Sequence, residues 1–317
     1  MIKVSILVPI YNVASYIERC AISLMEQTYE DIEYIFVNDC STDDSIKLLM
    51  EIINRYPKRV KQIKIIHHNV NRGLAASRNT ALDASSGSFL FHVDSDDWID
   101  KNCISLLISK AEETGASIID GSFIDVYNGH AEKKMPYMLD NRNYLKLILS
   151  GSGFISNQIW GRLIKRDLYV SHNIRAIEGV NYGEDYSVLS KLLYYGKRTF
   201  ITDTVYYYNH QNINSYMNNL SQKNFDSLVK AKIFIKDFYF SLPEKEFYYS
   251  EIMLGLLSVY KKGKINHLDT AYIDCVLQNM DKNIMCNLLY SCIHNNYTFM
   301  TKLLFMFISY SRKIWLR

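Results

Sequence analysis

Four consecutive residues, Asp94-Ser95-Asp96-Asp97, carry the strongest chemical signal in this sequence of 317 residues. Alternate residues of an extended segment point the same way, so Asp94 and Asp96 are expected to share a face. Two carboxylates on one face repel each other unless a cation lies between them. Their hard oxygen atoms suit Mg²⁺ or Mn²⁺, with phosphate oxygens completing the shell. The alternative is an acidic turn in which Asp97 caps the next helix, and this explanation suits Asp97 better than the whole cluster.

The elements that must position this acidic cluster (residues 94–97) alternate along the first half of the chain. Short apolar runs predict strands at 3–8, 33–38, 63–67, 88–93 and 117–126, and helical spacing predicts helices at 14–27, 74–85 and 101–114. Ser41, with Asp44 three residues later, resembles the start of a further helix. Apolar strands separated by helices indicate an α/β fold with a mostly parallel sheet that helices cover on both faces.

Polar residues follow the first four predicted strands. The segments are Pro9-Ile10-Tyr11-Asn12, Asp39-Cys40-Ser41-Thr42-Asp43, Asn71-Arg72-Gly73 and the acidic cluster. Parallel sheets bind ligands at the carboxyl ends of their strands. We therefore expect the four segments to converge on one edge of the sheet and to form the site there.

The second half of the chain has a different pattern. It is rich in Tyr and Asn, and a strand-like run spans residues 199–208. Beyond Ser221, apolar spacing predicts helices at 225–240, 247–260, 268–280 and 284–315. We predict one domain at residues 1–220 and a helical C-terminal region at residues 221–317.

Composition excludes several classes of protein. The net charge is only +3, whereas a dedicated nucleic-acid binder is usually strongly basic. The six cysteines have no C-x-x-C spacing, so a zinc site or disulfide framework is disfavoured and a reducing cytosol fits best. The start of the chain lacks a signal-peptide pattern, and no apolar run reaches the roughly 18 residues of a membrane span. We interpret the pair His67-His68 as structural.

The polar segments resemble those of family 2 glycosyltransferases, which have the GT-A fold. The run 4–12 resembles the family's opening, 38–43 its Asp-Gly-Ser-Thr-Asp motif, 71–79 its third motif and the acidic cluster its metal-binding motif. The resemblance covers about residues 1–220 and rests on four motifs in the family's order. Cys40 stands where Gly is usual, and a side chain there requires a backbone conformation that a β-carbon tolerates.

The resemblance implies a role on the donor side for each matching residue. Asp39 would hydrogen-bond the nucleobase, and Arg78 would approach the base or the diphosphate. Asp94 would reach the ribose or the metal, and Asp96 would ligate Mn²⁺ or Mg²⁺. The remaining residues assigned to the nucleotide sugar are Pro9, Tyr11, Asn12, Arg72 and Ser95. Three of these residues have alternative explanations: Tyr11 would simply pack, Arg78 would form a surface ion pair, and Arg72 would be a solvated loop charge.

The resemblance also implies residues on the acceptor side. Inverting transfer needs a base for the acceptor hydroxyl, and Glu184-Asp185 resembles the family's acidic pair, with Asp185 the base and Glu184 the supporting residue or second choice. Acidic residues also favour the first turn of a helix for dipole reasons. Trp160 and Arg162 match a segment under the acceptor site, where a core Trp beside a surface Arg is the alternative. His210 matches a closing loop and would ligate the metal or contact the diphosphate, unless it is structural.

These features predict an inverting, metal-dependent glycosyltransferase that transfers a sugar from a nucleotide-sugar donor, on resemblance a UDP-sugar. The acceptor would be a glycan or a lipid-linked molecule of a bacterial surface polysaccharide, and nucleic acid is not expected as a partner. A sugar-nucleotide nucleotidyltransferase is one alternative, but it would need a Gly-rich loop where this chain has residues 9–12. A non-catalytic nucleotide-sugar-binding scaffold is the other.

The end of the chain is basic and apolar. No acidic residue follows Asp281, and Lys302, Arg312, Lys313 and Arg317 alternate with aromatic and aliphatic residues. A final helix that packs on the domain is the simpler explanation. Our hypothesis is that this tail contacts the anionic inner face of the cytoplasmic membrane, with the protein otherwise cytoplasmic.

Shortening the chain to end at Met280, or at Ser221, tests the membrane hypothesis. The shortened chains are expected to lose binding to anionic vesicles, because they lack the basic and aromatic tail. Co-sedimentation measures the binding, and a thermal unfolding transition shows that each shortened chain is folded. A folded, shortened chain that binds as well as the full chain would contradict the hypothesis.

Overall fold

Strands and helices alternate through the first half of the chain, and helices dominate its end. The computed structural model describes residues 1–127, 130–151, 157–209, 220–297, 300–304 and 306. The strands are β1 (Val4–Ile10), β2 (Ile32–Asn38), β3 (Ile63–His67), β4 (Phe89–His92), β5 (Trp98–Ile99), β6 (Ile118–Tyr127), β7 (His130–Lys134), β8 (Arg162–Lys165) and β9 (Arg198–Asn209). The helices are α1 (Ile17–Met25), α2 (Ser45–Asn54), α3 (Leu74–Ala84), α4 (Cys103–Thr114), α5 (Asn141–Ser150), α6 (Arg166–Ser171), α7 (Glu184–Tyr195), α8 (Gln222–Phe240), α9 (Lys245–Ile265), α10 (Ala271–Gln278) and α11 (Ile284–His294).

The described strands form one sheet in the order β3-β2-β1-β4-β8-β6-β9-β5, with β7 paired to β6. Strands β1 to β4 are parallel, as the sequence predicts. Strand β8 lies antiparallel between β4 and β6, and β5 lies antiparallel to β9. The predicted α/β class with a mostly parallel sheet is confirmed. Strand β8 was not predicted, because four residues are too short to show a period.

Helices cover both faces of the parallel strands. On β1, the side chains of Ile6 and Val8 join one buried cluster with α1, α2 and α4, whereas Leu7 joins the cluster on the opposite face with α3, α5 and α7. Successive side chains of a strand point to opposite faces, so a strand that is covered twice is apolar at most positions. Double burial explains the mostly apolar runs that predicted these strands.

The C-terminal helices pack on the rest of the chain. Leu257 of α9 and Phe225 of α8 lie in the same buried cluster as Leu189 of α7. Helix α9 crosses the end of α5 closely, since a β-carbon at Gly255 would lie 2.2 Å from the carbonyl oxygen of Leu149. The division of the chain at residue 220 stays a prediction. In the described residues no helix is long and apolar enough to cross a membrane.

Two predicted helix boundaries are wrong. Helix α11 ends at His294, and Asn296 takes a left-handed conformation with φ of 59°, so a single helix over 284–315 does not form. Helix α2 begins at Ser45, while the Ser41 hydroxyl instead accepts a hydrogen bond from the Asn12 N–H at 3.2 Å. Residues 307–317, which include the basic tail from Arg312 onward, lie outside the described residues.

Candidate active site

The loops after β1 and β2 are tied to each other at the carboxyl edge of the sheet. Besides the contact with Ser41, Asn12 accepts a hydrogen bond at Oδ1 from the Thr42 N–H at 2.8 Å. Asn12 and Cys40 both take left-handed conformations, with φ of 50° and 62°. Cys40 therefore adopts the conformation for which glycine is usual, at a strain of about 1–2 kcal/mol. Tyr11 is exposed at this edge, and Pro9 is buried within β1.

Asp39 joins the loop after β2 to the loop after β3. Its carboxylate is buried and accepts hydrogen bonds from the Arg72 and Gly73 N–H groups at 2.8 and 2.7 Å. The His68 ring contacts the same carboxylate at 2.6 Å through Nδ1, and it contacts the Thr80 hydroxyl at 2.9 Å through Nε2. Carboxylate oxygens have further lone pairs, so the predicted contact with a nucleobase is compatible with these bonds and stays a prediction.

His68 is a site residue whose importance the sequence interpretation missed. We interpreted His67-His68 as structural, and the contacts of His68 are indeed internal. They nevertheless fix a predicted ligand-binding carboxylate. The position of His68 directly after a predicted strand was the signal. The parallel register pairs Asn38 with His67, so Asp39 and His68, the residues that follow, lie side by side.

Arg78 lies at the centre of the candidate site. The guanidinium on α3 is buried and donates from Nη2 to Asp94 Oδ1 at 2.9 Å and from Nη1 to Glu184 Oε1 at 3.2 Å, and it also contacts Asp185. Burial acts to lower the pKa of Arg78, but Asp94 and Glu184 outweigh it, so the pKa is raised above its ordinary value. The alternative of a surface ion pair is wrong, since the three ion pairs are inside the protein.

The acidic pair Glu184-Asp185 forms the first turn of α7, after Gly183. Asp185 accepts a hydrogen bond at Oδ2 from the Ile159 N–H at 3.1 Å. Burial raises the pKa of Glu184, and Arg78 offsets part of that effect. The Asp185 side chain is 18% exposed and that of Glu184 is 9% exposed, so Asp185 is the more accessible carboxylate of the pair.

The acidic cluster forms a turn at the end of β4 and not an extended segment. The Asp97 N–H donates to the carbonyl oxygen of Asp94 at 3.0 Å. Asp94 and Asp96 are half-buried, whereas Ser95 and Asp97 are buried inside the turn. The two partly accessible carboxylates thus alternate with two inaccessible side chains.

Asp97 does not cap a helix, contrary to the expectation. Helix α4 begins six residues later, after Asn102. The Asp97 carboxylate accepts hydrogen bonds from the Tyr206 hydroxyl at 2.8 Å and from the Asn209 N–H at 2.7 Å, and Tyr206 in turn accepts from the Asp94 N–H at 3.0 Å. Asp97 therefore anchors the acidic turn to β9, a contact between distant segments that local spacing could not predict.

The carboxylates of the turn fit a divalent cation. Burial, with Asp96 and Asp94 nearby, raises the pKa of Asp97 well above its ordinary value, so the three acidic groups repel one another. Within the described ranges no group of three or more His, Cys, Asp or Glu side chains is arranged to hold a metal. A cation bound by Asp96 and Asp94 would need further oxygen ligands, which a diphosphate can supply. His210, the other predicted ligand, lies outside the described residues.

Trp160 and Arg162, predicted on the acceptor side, are buried in the structure. Trp160 stacks on Tyr206 and Tyr208 with ring centroids 4.4 and 5.2 Å apart. Arg162 donates to Asp120 at 2.5 Å and to the Tyr144 hydroxyl at 2.8 Å. Both line a cleft of about 560 Å³. The contacts of Trp160 fit the alternative of a core Trp. The burial of Arg162 does not fit the alternative of a surface Arg. The acceptor role of both residues stays a prediction.

Two further arginines, Arg72 and Arg19, lie near residues of the site. Arg72 forms an ion pair with Glu178 at 3.1 Å, and both side chains are exposed, which agrees with the alternative of a solvated loop charge. Arg19 on α1 lies 3.4 Å above the ring of Trp98. Burial lowers the pKa of Arg19 below its ordinary value, and the nearby charges of Asp97 and Asp96 offset part of that effect. The sequence interpretation missed Arg19, since nothing in its helical pattern distinguishes it from a surface charge.

Replacing Asp97 with Asn tests its anchoring role. The Asp97→Asn variant is expected to lower the free energy of unfolding by about 1–3 kcal/mol, because one of the two buried donors would then face an amide N–H₂ group. Chemical denaturation measures the change. Asp44→Asn, at an exposed carboxylate, is the matched control and should change little. Equal stability of the two variants would contradict the anchoring role.

The sequence has relatives among bacterial proteins. Uncharacterized glycosyltransferase EpsJ of Bacillus subtilis (strain 168) is 32% identical over 188 residues, which are 57% of this chain and 53% of that protein. Teichoic acid poly(glycerol phosphate) polymerase of Staphylococcus epidermidis is 30% identical over 244 residues, which are 75% of this chain and 32% of that protein. The matches span about half of the first relative and a third of the second.

Solved structures share the fold at low identity. S. aureus TarS 1-349 in complex with UDP-GlcNAc is 16% identical, with a TM-score of 0.65 over 98% of this chain and 92% of that one. Mannosyltransferase PcManGT from Pyrobaculum calidifontis, in complex with GDP-Man and Mn²⁺, is 16% identical, with a TM-score of 0.58 over 99% and 87%. These likenesses confirm the predicted GT-A fold. Residues 5–169, more than half of the chain, match the family described as "Glycosyl transferase family 2", and the chain therefore belongs to that family.

Proposed function

We propose that this protein is an inverting glycosyltransferase that moves a sugar from a UDP-sugar to a hydroxyl group of a glycan or lipid-linked acceptor, with Mn²⁺ or Mg²⁺ as cofactor. The product would belong to a bacterial surface polysaccharide. A relative named as a bacterial glycosyltransferase, another named as a teichoic acid polymerase and a fold shared with a UDP-GlcNAc complex support the proposal.

One observation carries the proposal. The guanidinium of Arg78 contacts Asp94, on the donor side, and Glu184 and Asp185, on the acceptor side. Two carboxylates that bind the same planar group must lie within a few ångströms of each other. The base for the acceptor hydroxyl and the carboxylate on the donor side would thus lie close together. Displacement at an anomeric carbon requires this proximity, because the acceptor hydroxyl and the donor must meet at that carbon.

Four loops at the carboxyl edge of the sheet would bind the donor. Asp39 would accept a hydrogen bond from the nucleobase, beside the exposed ring of Tyr11. The hydrogen bonds of Asp39 to the Arg72 and Gly73 backbone already hold its carboxylate in place, so binding would require little reorganisation. Asp94 and Asp96 would hold the cation next to the diphosphate.

The acidic pair would perform the proton transfer. A divalent cation, when bound, neutralises the charge of the leaving diphosphate. Asp185 would accept the proton of the acceptor hydroxyl at a carboxylate oxygen as the hydroxyl oxygen forms its bond to the anomeric carbon. Asp185 suits this role better than Glu184, because it is the more accessible and the Ile159 N–H holds its Oδ2 in position. Glu184 would support the charge of Arg78 from inside the protein.

Binding of a donor and a cation can be measured without knowing the acceptor. The protein is screened against a panel of nucleoside diphosphates and their sugars with Mn²⁺, and a UDP-sugar is expected to raise the unfolding temperature. At a concentration of 100 times its Kd, a ligand stabilises the folded protein by about 2.7 kcal/mol. Asp96→Asn should lose most of this shift, and Glu132→Gln, at an exposed carboxylate of β7, should keep it. Absence of a shift with every compound, or an equal shift without Mn²⁺, would overturn the proposed donor site.

Substitution of the acidic pair separates catalysis from binding. Asp185→Asn is expected to lower kcat about 10²- to 10⁴-fold while the donor-induced thermal shift persists, because the amide cannot accept the proton. Glu184→Gln should lower kcat less. Product formation from the donor identified in the panel is the measurement. A larger loss of kcat in Glu184→Gln than in Asp185→Asn would assign the base to Glu184. Donor binding with no hydrolysis or transfer, unchanged in Asp185→Asn, would favour a non-catalytic scaffold.

A further inference from the structure

Two nitrogen atoms next to the candidate site are buried without a hydrogen-bond partner among the described residues. They are Nε of Arg78 and Nδ1 of His92. The two residues are only 6% and 4% exposed. Buried polar groups are almost always hydrogen-bonded, since an unpaired one loses its interaction with water and gains nothing. Two such atoms on residues that line the same pocket point to a missing partner.

Arg78 and His92 line the same small pocket. Glu184, Asp185, Tyr169 and Ala176 are among its other lining residues, and its volume is about 20 Å³. A cavity needs roughly 10–15 Å³ of such space to hold one water molecule. The pocket thus has room for a single water, and it is far too small for a sugar ring or a phosphate group.

The hydrogen-bonding capacities of the two nitrogens are complementary. Arg78 Nε always carries a proton and can only donate. Burial, with Arg78 nearby, lowers the pKa of His92 to about 3, so the ring is neutral and has one donor and one acceptor nitrogen. Its Nε2 lies 3.1 Å from the Tyr169 hydroxyl. With Nε2 as the donor, Nδ1 is left as the acceptor, and a water molecule can accept from Arg78 and donate to His92.

We propose that one water molecule binds in this pocket between Arg78 Nε and His92 Nδ1, and that His92 is through it a positioning residue for the Arg78 guanidinium. The three carboxylate partners of Arg78 lie on its two terminal nitrogens. The water would hold the remaining nitrogen and so fix the rotation of the planar group. That rotation decides where Asp94 and Asp185 lie relative to each other. The kinetic consequence rests on the proposed glycosyltransferase function, whereas the water site does not.

A crystal structure of the full chain tests the site directly. Electron density for one ordered water within about 3.2 Å of both nitrogens is the expected result. In His92→Leu, the water should be lost and the Arg78 guanidinium should be displaced or occupy two orientations. A dry pocket in the unsubstituted protein, or an Arg78 that keeps its single orientation in His92→Leu, would overturn the proposal.

Kinetics of matched variants test the positioning role. His92→Leu is expected to lower kcat about 10- to 100-fold with little change in the KM of the donor, since misplacement of a catalytic group acts mainly on the chemical step. His92→Asn places an amide oxygen near the position of Nδ1 and should recover most of the rate. Tyr169→Phe keeps the His92 ring but removes the partner of Nε2, so its rate is expected to lie between those of His92→Leu and the unsubstituted enzyme.

The matched variants also separate positioning from stability. Equal losses in His92→Leu, His92→Asn and Tyr169→Phe, or a loss that follows the unfolding temperature of each variant, would overturn the positioning role. An ordered water in the crystal, together with no transfer from any donor, would leave the water site standing and would overturn the proposed function instead. The two proposals therefore fail in distinguishable ways.

Discussion

The candidate site depends on the burial of one cation, Arg78, among three carboxylates. A guanidinium is stable away from water only when its charge is compensated and its N–H groups are bonded. Asp94, Glu184 and Asp185 supply this compensation from two segments that lie about a hundred residues apart in the chain. Arg78 thus holds the acidic turn after β4 against the first turn of α7. It also leaves an excess of negative charge, because three acidic groups face one basic group.

The part of the site that sequence alone predicts is the part that local rules determine. Double burial makes β1, β2 and β4 mostly apolar, and parallel pairing brings the carboxyl ends of β1 to β4 to one edge. The contacts of Asn12 with Thr42, and of Asp39 with Gly73, follow from that topology. A polar residue directly after a buried strand could therefore be placed near the others without any knowledge of side-chain geometry.

The remainder depends on contacts between distant segments, which leave no period in the sequence. Asp97 contacts Tyr206 and Asn209 across more than a hundred residues, so a local interpretation assigned it to a helix cap. Strand β8 is four residues long and is recognisable only through its pairing with β4 and β6. The helix predicted at 284–315 is interrupted at a residue whose left-handed conformation the apolar pattern does not record.

The surroundings of Arg162 and Arg78, two buried arginines that both pair with carboxylates, differ in their balance of charge. Arg162 donates from its three nitrogens to Gln158, Asp120 and Tyr144, and Arg198 shares the Asp120 carboxylate, so two cations surround one anion. Around Arg78 the ratio is reversed, and one of its nitrogens lacks a partner among the described residues. An anion between two cations is already compensated, whereas three carboxylates around one cation, beside Asp96 of the acidic turn, retain an attraction for a further positive charge. That imbalance, and not burial or ion pairing alone, distinguishes the surroundings of Arg78 from those of Arg162.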